Sequence, residues 1–276
     1  QTKFDFNADS AAIKADYEDF EGKTVKLGAD IDLNPGFDAD AEEILAPDNL
    51  WPICNAGRDR FAGTFDGQGH TISGLYLNKT KENYAGKDYY GGLFAAIGKG
   101  AVIEKLGVVN SSLTFTHDVN TKYLGVFAGF VDQYTYNETK YSEYPLIREC
   151  FADTTVYLNG GSCGGFIGCA TRPIRVENSF FTGTVKDTGR GLFGYSKMGT
   201  AYDGVLVKNF YAADSKFAVI SNNSYDNFMY ENTYSSSAQD KEGITRLFVD
   251  RMCGEAAKEY MTGFDFSRIW VIGEES

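Results

Sequence analysis

Gly92-Leu93-Phe94, Gly125-Val126-Phe127, Gly165-Phe166-Ile167 and Gly191-Leu192-Phe193 are four versions of one short phrase. Each is followed, at a variable distance, by a partner phrase that opens on a β-branched residue. These are Ile103-Glu104-Lys105-Leu106, Ile147-Arg148-Glu149-Cys150, Val176-Glu177-Asn178-Ser179 and Val207-Lys208-Asn209-Phe210. Self-similarity at a period of about 20–50 residues means stacked supersecondary units that share one core. Aligned on the partner phrase, later columns read Leu106/Cys150/Ser179/Phe210, then Gly107/Phe151/Phe180/Tyr211, then Ser112/Val156/Val185/Lys216. Such recurrence fits successive coils stacked one strand spacing apart, about 4.8 Å. A fifth, degraded unit is legible at Tyr230-Glu231-Asn232-Thr233-Tyr234.

Composition sets the bounds. The 276 residues are 43% hydrophobic, enough for a continuous core, and 31 glycines against 5 prolines suit strands separated by glycine turns. A formal charge of −12 argues against nucleic acid, which needs clustered Lys and Arg. No apolar run reaches the roughly 18–20 residues of a membrane span, and the chain opens on a polar stretch without a signal peptide. Five cysteines (Cys54, Cys150, Cys163, Cys169, Cys253) cannot all pair, and none sits in a CxxC. Cys150, in a column shared with Leu106 and Phe210, reads as a small core residue. With only two histidines, His70 and His117, neither a metal site nor a cofactor is expected.

Around the array lie two flanking zones. Ala12, Ile13, Tyr17 and Phe20 have helical spacing within 9–20, behind Ser10 as an N-cap, and predict a helix over one end of the stack. Val25-Lys26-Leu27 and Ile31-Asp32-Leu33 open the strands, and Phe65-Asp66-Gly67-Gln68-Gly69-His70-Thr71-Ile72 is a glycine turn between two more. At the other end, Asp250–Tyr260 is helical by spacing, and Phe264, Phe266, Ile269 and Trp270 read as a last apolar strand.

At these residues the chain resembles the GLUG-repeat proteins, named for a Gly-Leu-x-Gly phrase. Gly191-Leu192-Phe193-Gly194 matches it fully, and Gly92-Leu93-Phe94-Ala95 and Gly165-Phe166-Ile167-Gly168 in part. Lys26-Leu27, Ile31-Asp32-Leu33, Trp51-Pro52-Ile53, the Phe65–Ile72 string and the ending Phe264-Asp265-Phe266 to Trp270 extend the likeness over nearly the whole chain. Gly125-Val126-Phe127-Ala128 departs from it, with the second glycine lost or shifted. The resemblance implies a secreted or surface-attached bacterial protein and no catalytic residues belonging to the repeat. The expected fold is all-β: a single right-handed parallel β-helix, a solenoid, with helical or irregular caps. One domain is expected over 1–276, with 1–24 and 235–276 as caps and 25–234 as coils. Phe180 is expected in the buried apolar ladder.

Asp66 and His70 could form an acid–base pair, but an Asp beside Gly67 and Gly69 more often shapes the turn. Carboxylates on neighbouring coils could reach the ~5–9 Å separation of glycosidases. Asp153 is the one to inspect, while Asp132, Glu143 and Asp187 fall in loops. Arg148 and Arg175 occupy corresponding repeat regions, without the Asp-x-Asp-x-Asp loop of a calcium site. The clearer signal is tyrosine in the insertions 79–91 and 132–145: Tyr84, Tyr89 and Tyr90, then Tyr134, Tyr136, Tyr141 and Tyr144. Tyr gives a flat contact with a polar tip at low entropy cost, suited to a glycan or a host or surface protein. The reading is therefore a non-catalytic extracellular or cell-surface binding or adhesion module, a monomer or part of a larger chain. A polysaccharide-degrading β-helix enzyme and a passive spacer are the competing readings. A groove lined by two or more acids with an adjacent Arg or Lys would favour the enzyme.

Overall fold

A computed structural model of the chain describes residues 19–41, 60–80, 88–116, 121–131, 138–186, 189–196, 204, 206–213, 228–237 and 241–272. The strands lie parallel in three curled sheets of 14, 3 and 4 strands. One coil runs through Val102–Glu104, Gly107–Phe115, Thr121–Gly125 and Ala128–Val131. The next runs through Leu146–Arg148, Phe151–Leu158, Ser162–Gly164 and Ile167–Ala170, each strand on its counterpart. This is an all-β, solenoid-like stack. A single coil cannot bury its own inward face, so burial comes from the neighbours.

A four-residue unit at the corner between two strand columns explains the repeat. It reads Glu104-Lys105-Leu106-Gly107, Arg148-Glu149-Cys150-Phe151, Glu177-Asn178-Ser179-Phe180, Lys208-Asn209-Phe210-Tyr211 and Glu231-Asn232-Thr233-Tyr234, in register from coil to coil. The first position is charged and faces outward along one sheet. The second turns the chain in the left-handed region, with φ of 53, 54, 48, 53 and 47° at Lys105, Glu149, Asn178, Asn209 and Asn232. The third points into the core, where Leu106, Cys150, Ser179, Phe210 and Thr233 are all buried. The fourth lies on the outer face of the next strand column of the same sheet. Asparagine tolerates positive φ best among residues with a Cβ. In the last three coils its amides also bond along the stack: Asn209 Nδ2 donates to Asn178 Oδ1 at 2.7 Å and Asn232 Nδ2 to Asn209 Oδ1 at 3.2 Å.

Several expectations change. Phe180 is half-buried on the outer face, and its neighbours Ser179 and Phe181 point inward, as strand alternation requires. Ser112 does not stand opposite Val156. Asn110, at φ 43°, adds a residue that shifts the register, so Leu113 meets Val156 and Val156 meets Val185. Lys216 lies outside the described residues. The glycine phrase of the second coil is displaced by one: Gly125 lies opposite Gly164, and Ala128 opposite Phe94 and Ile167. Val126 and Phe127 thus stand where Gly165 and Phe166 stand in the next coil, and Gly129 takes the place of the phrase's second glycine.

The fifth unit is a strand, Tyr230–Ser235, and Ile244–Arg246 pairs onto it. The stack thus runs on past residue 234. The C-terminal helix is Gly254–Tyr260, but Phe264 to Trp270 forms turns rather than a strand. This segment packs against the outward aromatic column: Tyr234, Met252, Met261 and Phe264 share a small cluster that Tyr211 and Trp270 join. The expected N-terminal helix and the Trp51-Pro52-Ile53 string fall outside the described residues, save for Asp19 and Phe20.

Candidate functional site

The outward aromatic column ends at Gly107. Phe151, Phe180 and Tyr211 stack face to face with centroids 5.2 and 4.8 Å apart, but Gly107, next in the column, has no side chain. The Phe151 ring lies where a Cβ on Gly107 would sit. Beyond that point Trp270 closes over the side of the stack, edge-on to Phe151 at 6.4 Å and to Phe180 at 4.9 Å. A groove of about 680 Å³ remains between the coils and the C-terminal segment. Its walls carry Lys26, Asp66, Lys105, Glu149, Phe151 and Trp270. Gln68 and Arg268 complete its polar rim.

Each wall is held by local chemistry. Asp66 shapes the turn, its Oδ1 accepting the Gln68 backbone N–H at 3.0 Å, and its Oδ2 lies 3.7 Å from Lys26 Nζ. The Gln68 amide donates to the Leu27 carbonyl. Lys105 donates its backbone N–H to the Arg148 carbonyl at 3.1 Å and accepts from Gly69 N–H at 2.8 Å, which fixes the root of its side chain. Asp265 ties the opposite wall. Its carboxylate accepts from Ser267 N and Oγ at 3.0 and 2.7 Å and from Arg268 Nε at 2.8 Å. Its carbonyl accepts the N–H groups of Ile269 and Trp270, both at 3.1 Å. The Ser267 and Arg268 bonds hold the Asp265 carboxyl down at about 2. The Trp270 indole N–H is buried without an acceptor among the described residues.

A ladder of charge runs beside the groove, one outward side chain per coil: Lys26, Asp66, Glu104, Arg148, Glu177, Lys208 and Glu231. Arg148 Nε donates to Glu104 at 2.7 Å and Lys208 meets Glu231 at 2.9 Å. Arg175, one column over, bonds Glu177 at 2.7 Å. The arginines singled out in the sequence are therefore partners of this ladder.

The expected tyrosines divide. Tyr89 is fully buried, stacked on Phe115 at 4.1 Å, and belongs to the core. Tyr144 is also buried, edge-on to Tyr141 at 5.7 Å. Tyr141 is half-buried beneath the Arg175 guanidinium, 4.7 Å from its ring centroid. Tyr90 is half-buried and forms an outer cluster with Tyr123 at 5.5 Å and Phe130 at 5.3 Å. Tyr84, Tyr134 and Tyr136 lie outside the described residues, as do Asp132 and Asp187.

Among the acids, Asp153 is exposed, yet partial desolvation of its carboxyl by the surrounding chain, followed by the Asp40 charge, pushes its pKa up. Glu143 is held low by Lys99, at 3.2 Å, and by the Lys140 N–H. His70 Nδ1 meets Asp30 Oδ1 at 3.2 Å, so the imagined Asp66–His70 pair is not formed. Among the described residues no group of three His, Cys, Asp or Glu is placed to hold a metal ion, and no helix is long and apolar enough to cross a membrane.

The groove residues escaped the sequence reading. Gly107 and Phe151 were visible as members of one column, but nothing local shows that Trp270 reaches that column.

No family model matches the chain. Halomucin from Haloquadratum walsbyi is 31% identical over 132 residues, which are 45% of this chain and 1% of halomucin. The chain thus spans only a small fraction of that relative's length. A solved structure of a candidate immunoglobulin A1 protease from Bacteroides ovatus superimposes with a TM-score of 0.41 at 18% identity, over 83% of this chain and 71% of that one. A likeness at that level transfers neither fold nor activity.

Proposed function

We propose that this chain is a non-catalytic extracellular binding module of a secreted or surface-attached protein. We further propose that its coils form a single right-handed β-helix of the GLUG-repeat kind. The observation that carries the binding role is the lateral groove: Phe151 and Trp270 wall a cavity of about 680 Å³ whose other side is the stacked coils. Pockets that hold small ligands span about 300–1,000 Å³ and combine aromatic surface with a few polar groups. The likeness of part of the chain to halomucin fits an extracellular setting. A glycan or a surface protein is the expected partner, and Tyr90 and Tyr141 remain candidates for a wider contact.

The enzyme reading has one observation in its favour. Asp66 and Glu149 both line the groove, with Lys26, Lys105 and Arg268 beside them. Asp66, however, is committed to its turn through Gln68 and to Lys26. A carboxylate so engaged is a poor general acid or nucleophile, because catalysis needs it free to exchange a proton or bond. A glycan array, run beside a reducing-sugar assay on common polysaccharides, tests both readings. Saturable binding without new reducing ends supports the module. Release of reducing ends that stops in Glu149→Gln replaces it with the enzyme.

A further inference from the structure

We infer that the groove takes an anionic sugar, a residue carrying a carboxylate or a sulfate, with Lys105 as its charge partner. The inference rests on the binding-module reading and narrows its ligand.

Charge comes first. Of the three cations lining the groove, Lys26 faces Asp66 at 3.7 Å and Arg268 is tied to Asp265 at 2.7 Å. Lys105 is exposed and has no ion-pair partner among the described residues. It stands at the apex of its corner on a backbone fixed from both sides, so little main-chain order is lost when it binds. The net charge of −12 does not cancel it, since screening removes most interactions beyond about 8 Å at physiological salt.

Glu149 narrows the class. It lines the same groove one coil on, and it also has no ion-pair partner among the described residues. A bare polyphosphate would meet that carboxylate as a like charge. A sugar acid offers hydroxyl donors beside its anionic group, so Glu149 can accept from a hydroxyl while Lys105 takes the charge. The Phe151 and Trp270 rings supply apolar faces for the C–H side of a sugar ring. Nucleic acid, with its dense phosphates, does not share this pattern.

The test uses three oligosaccharides of equal length: an oligogalacturonate for the carboxylate, a sulfated dextran for the sulfate, and unmodified dextran. Binding is measured by calorimetry and by tryptophan fluorescence, with Trp270→Phe to assign the signal. At least one acidic oligomer is expected to bind about tenfold or more tighter than dextran, the size of one charged hydrogen bond. Lys105→Gln should erase that preference and Lys105→Arg should keep it, with unchanged far-UV circular dichroism in both. Raising salt from about 50 to 300 mM should weaken the acidic oligomer alone. Equal affinity for dextran, or a preference that survives Lys105→Gln, overturns the anionic assignment and leaves the binding module standing. If no oligomer binds, the inference is overturned, and the module reading falls with it only if the glycan array is also blank. Should Lys105→Gln not fold, an acidic preference unaffected by salt is enough to overturn it.

Discussion

Trp270 stands edge-on to Phe180, ring centroids 4.9 Å apart, and so pins the C-terminal segment to the outside of a coil laid down far earlier in the chain. The contact explains why an aromatic residue occupies the outer face of that coil. It is covered, though by a remote part of the chain and not by the interior of the stack.

Removing that contact should loosen the segment. A fully buried Trp→Ala costs about 3–5 kcal/mol, and Trp270 is half-buried, so Trp270→Ala should cost about 2 kcal/mol. Trp270→Phe should cost less than about 1 kcal/mol, because it keeps an aromatic ring and removes a buried N–H that has no acceptor among the described residues. Urea unfolding midpoints distinguish the two. An unchanged midpoint in Trp270→Ala would mean that the segment is not docked in solution.

The asparagine ladder offers a cleaner separation of terms. Asn209 bonds both neighbouring asparagines and sits at φ 53°. Asn209→Gly loses the side-chain bonds but not the backbone freedom, at about 1–2 kcal/mol. Asn209→Ala loses the same bonds but keeps a Cβ in the left-handed region without the amide that eases it there, and should cost about 1 kcal/mol more than the glycine variant. Equal stability of the two variants in chemical denaturation would remove the strain argument.

Gly129 stands where coils approach too closely for a side chain. A Cβ there would lie 2.6 Å from Gly91 N and 2.9 Å from the Ala95 carbonyl oxygen. Gly129→Ala is therefore expected to destabilise by about 1–3 kcal/mol or more, the range of overpacked cores. Ala95, in the same column but in the preceding coil, already carries a Cβ, so Ala95→Gly should change the melting temperature far less. Comparable losses from both substitutions would contradict the register described above.

Thiol chemistry should follow burial. Cys150, Cys163 and Cys169 are buried and Cys253 is exposed. Burial pushes the Cys169 thiol up to about 12 and raises that of Cys150 further. Iodoacetamide at about pH 8 should label Cys253 and leave those three intact until urea is added, as peptide mapping would report. Both thiols have a folded pKa above the unfolded value of 9.0, so their contribution is complete below that pH. It is lost as pH rises beyond it, since unfolding then releases protons.

At the acid end the sign reverses. Asp265 has its carboxyl lowered from 3.8 to about 2 by Ser267 and Arg268, so its contribution is present above about pH 4 and fades as pH falls toward 2. Trp270, whose backbone N–H donates to the Asp265 backbone carbonyl, should report this as a fluorescence change preceding global unfolding. Asp265→Asn should shift that change to milder acid, or make it constitutive. A fluorescence transition identical in Asp265→Asn would detach Trp270 from this turn.

Columns of like residues at matching offsets carried the stacked, parallel, all-β architecture and the successive pairing of Ile103 with Ile147, Ile147 with Val176 and Val176 with Val207, because each coil repeats the same local geometry. They also identified the Asp66 turn and the buried Cys150, whose environments are set within one coil and its neighbours. Which way Phe180 points required knowing that Asn178 turns the chain at positive φ, a backbone state no composition signal announces. The groove lay further out of reach. It needs Lys105 and Gly107 of one coil beside Glu149 of the next and a strap from Arg268 to Trp270 laid across them. Local pattern fixes what stacks on what, since strand pairing is periodic. What covers the outside of the stack depends on contacts between residues with no periodic relation, and only tertiary packing decides those.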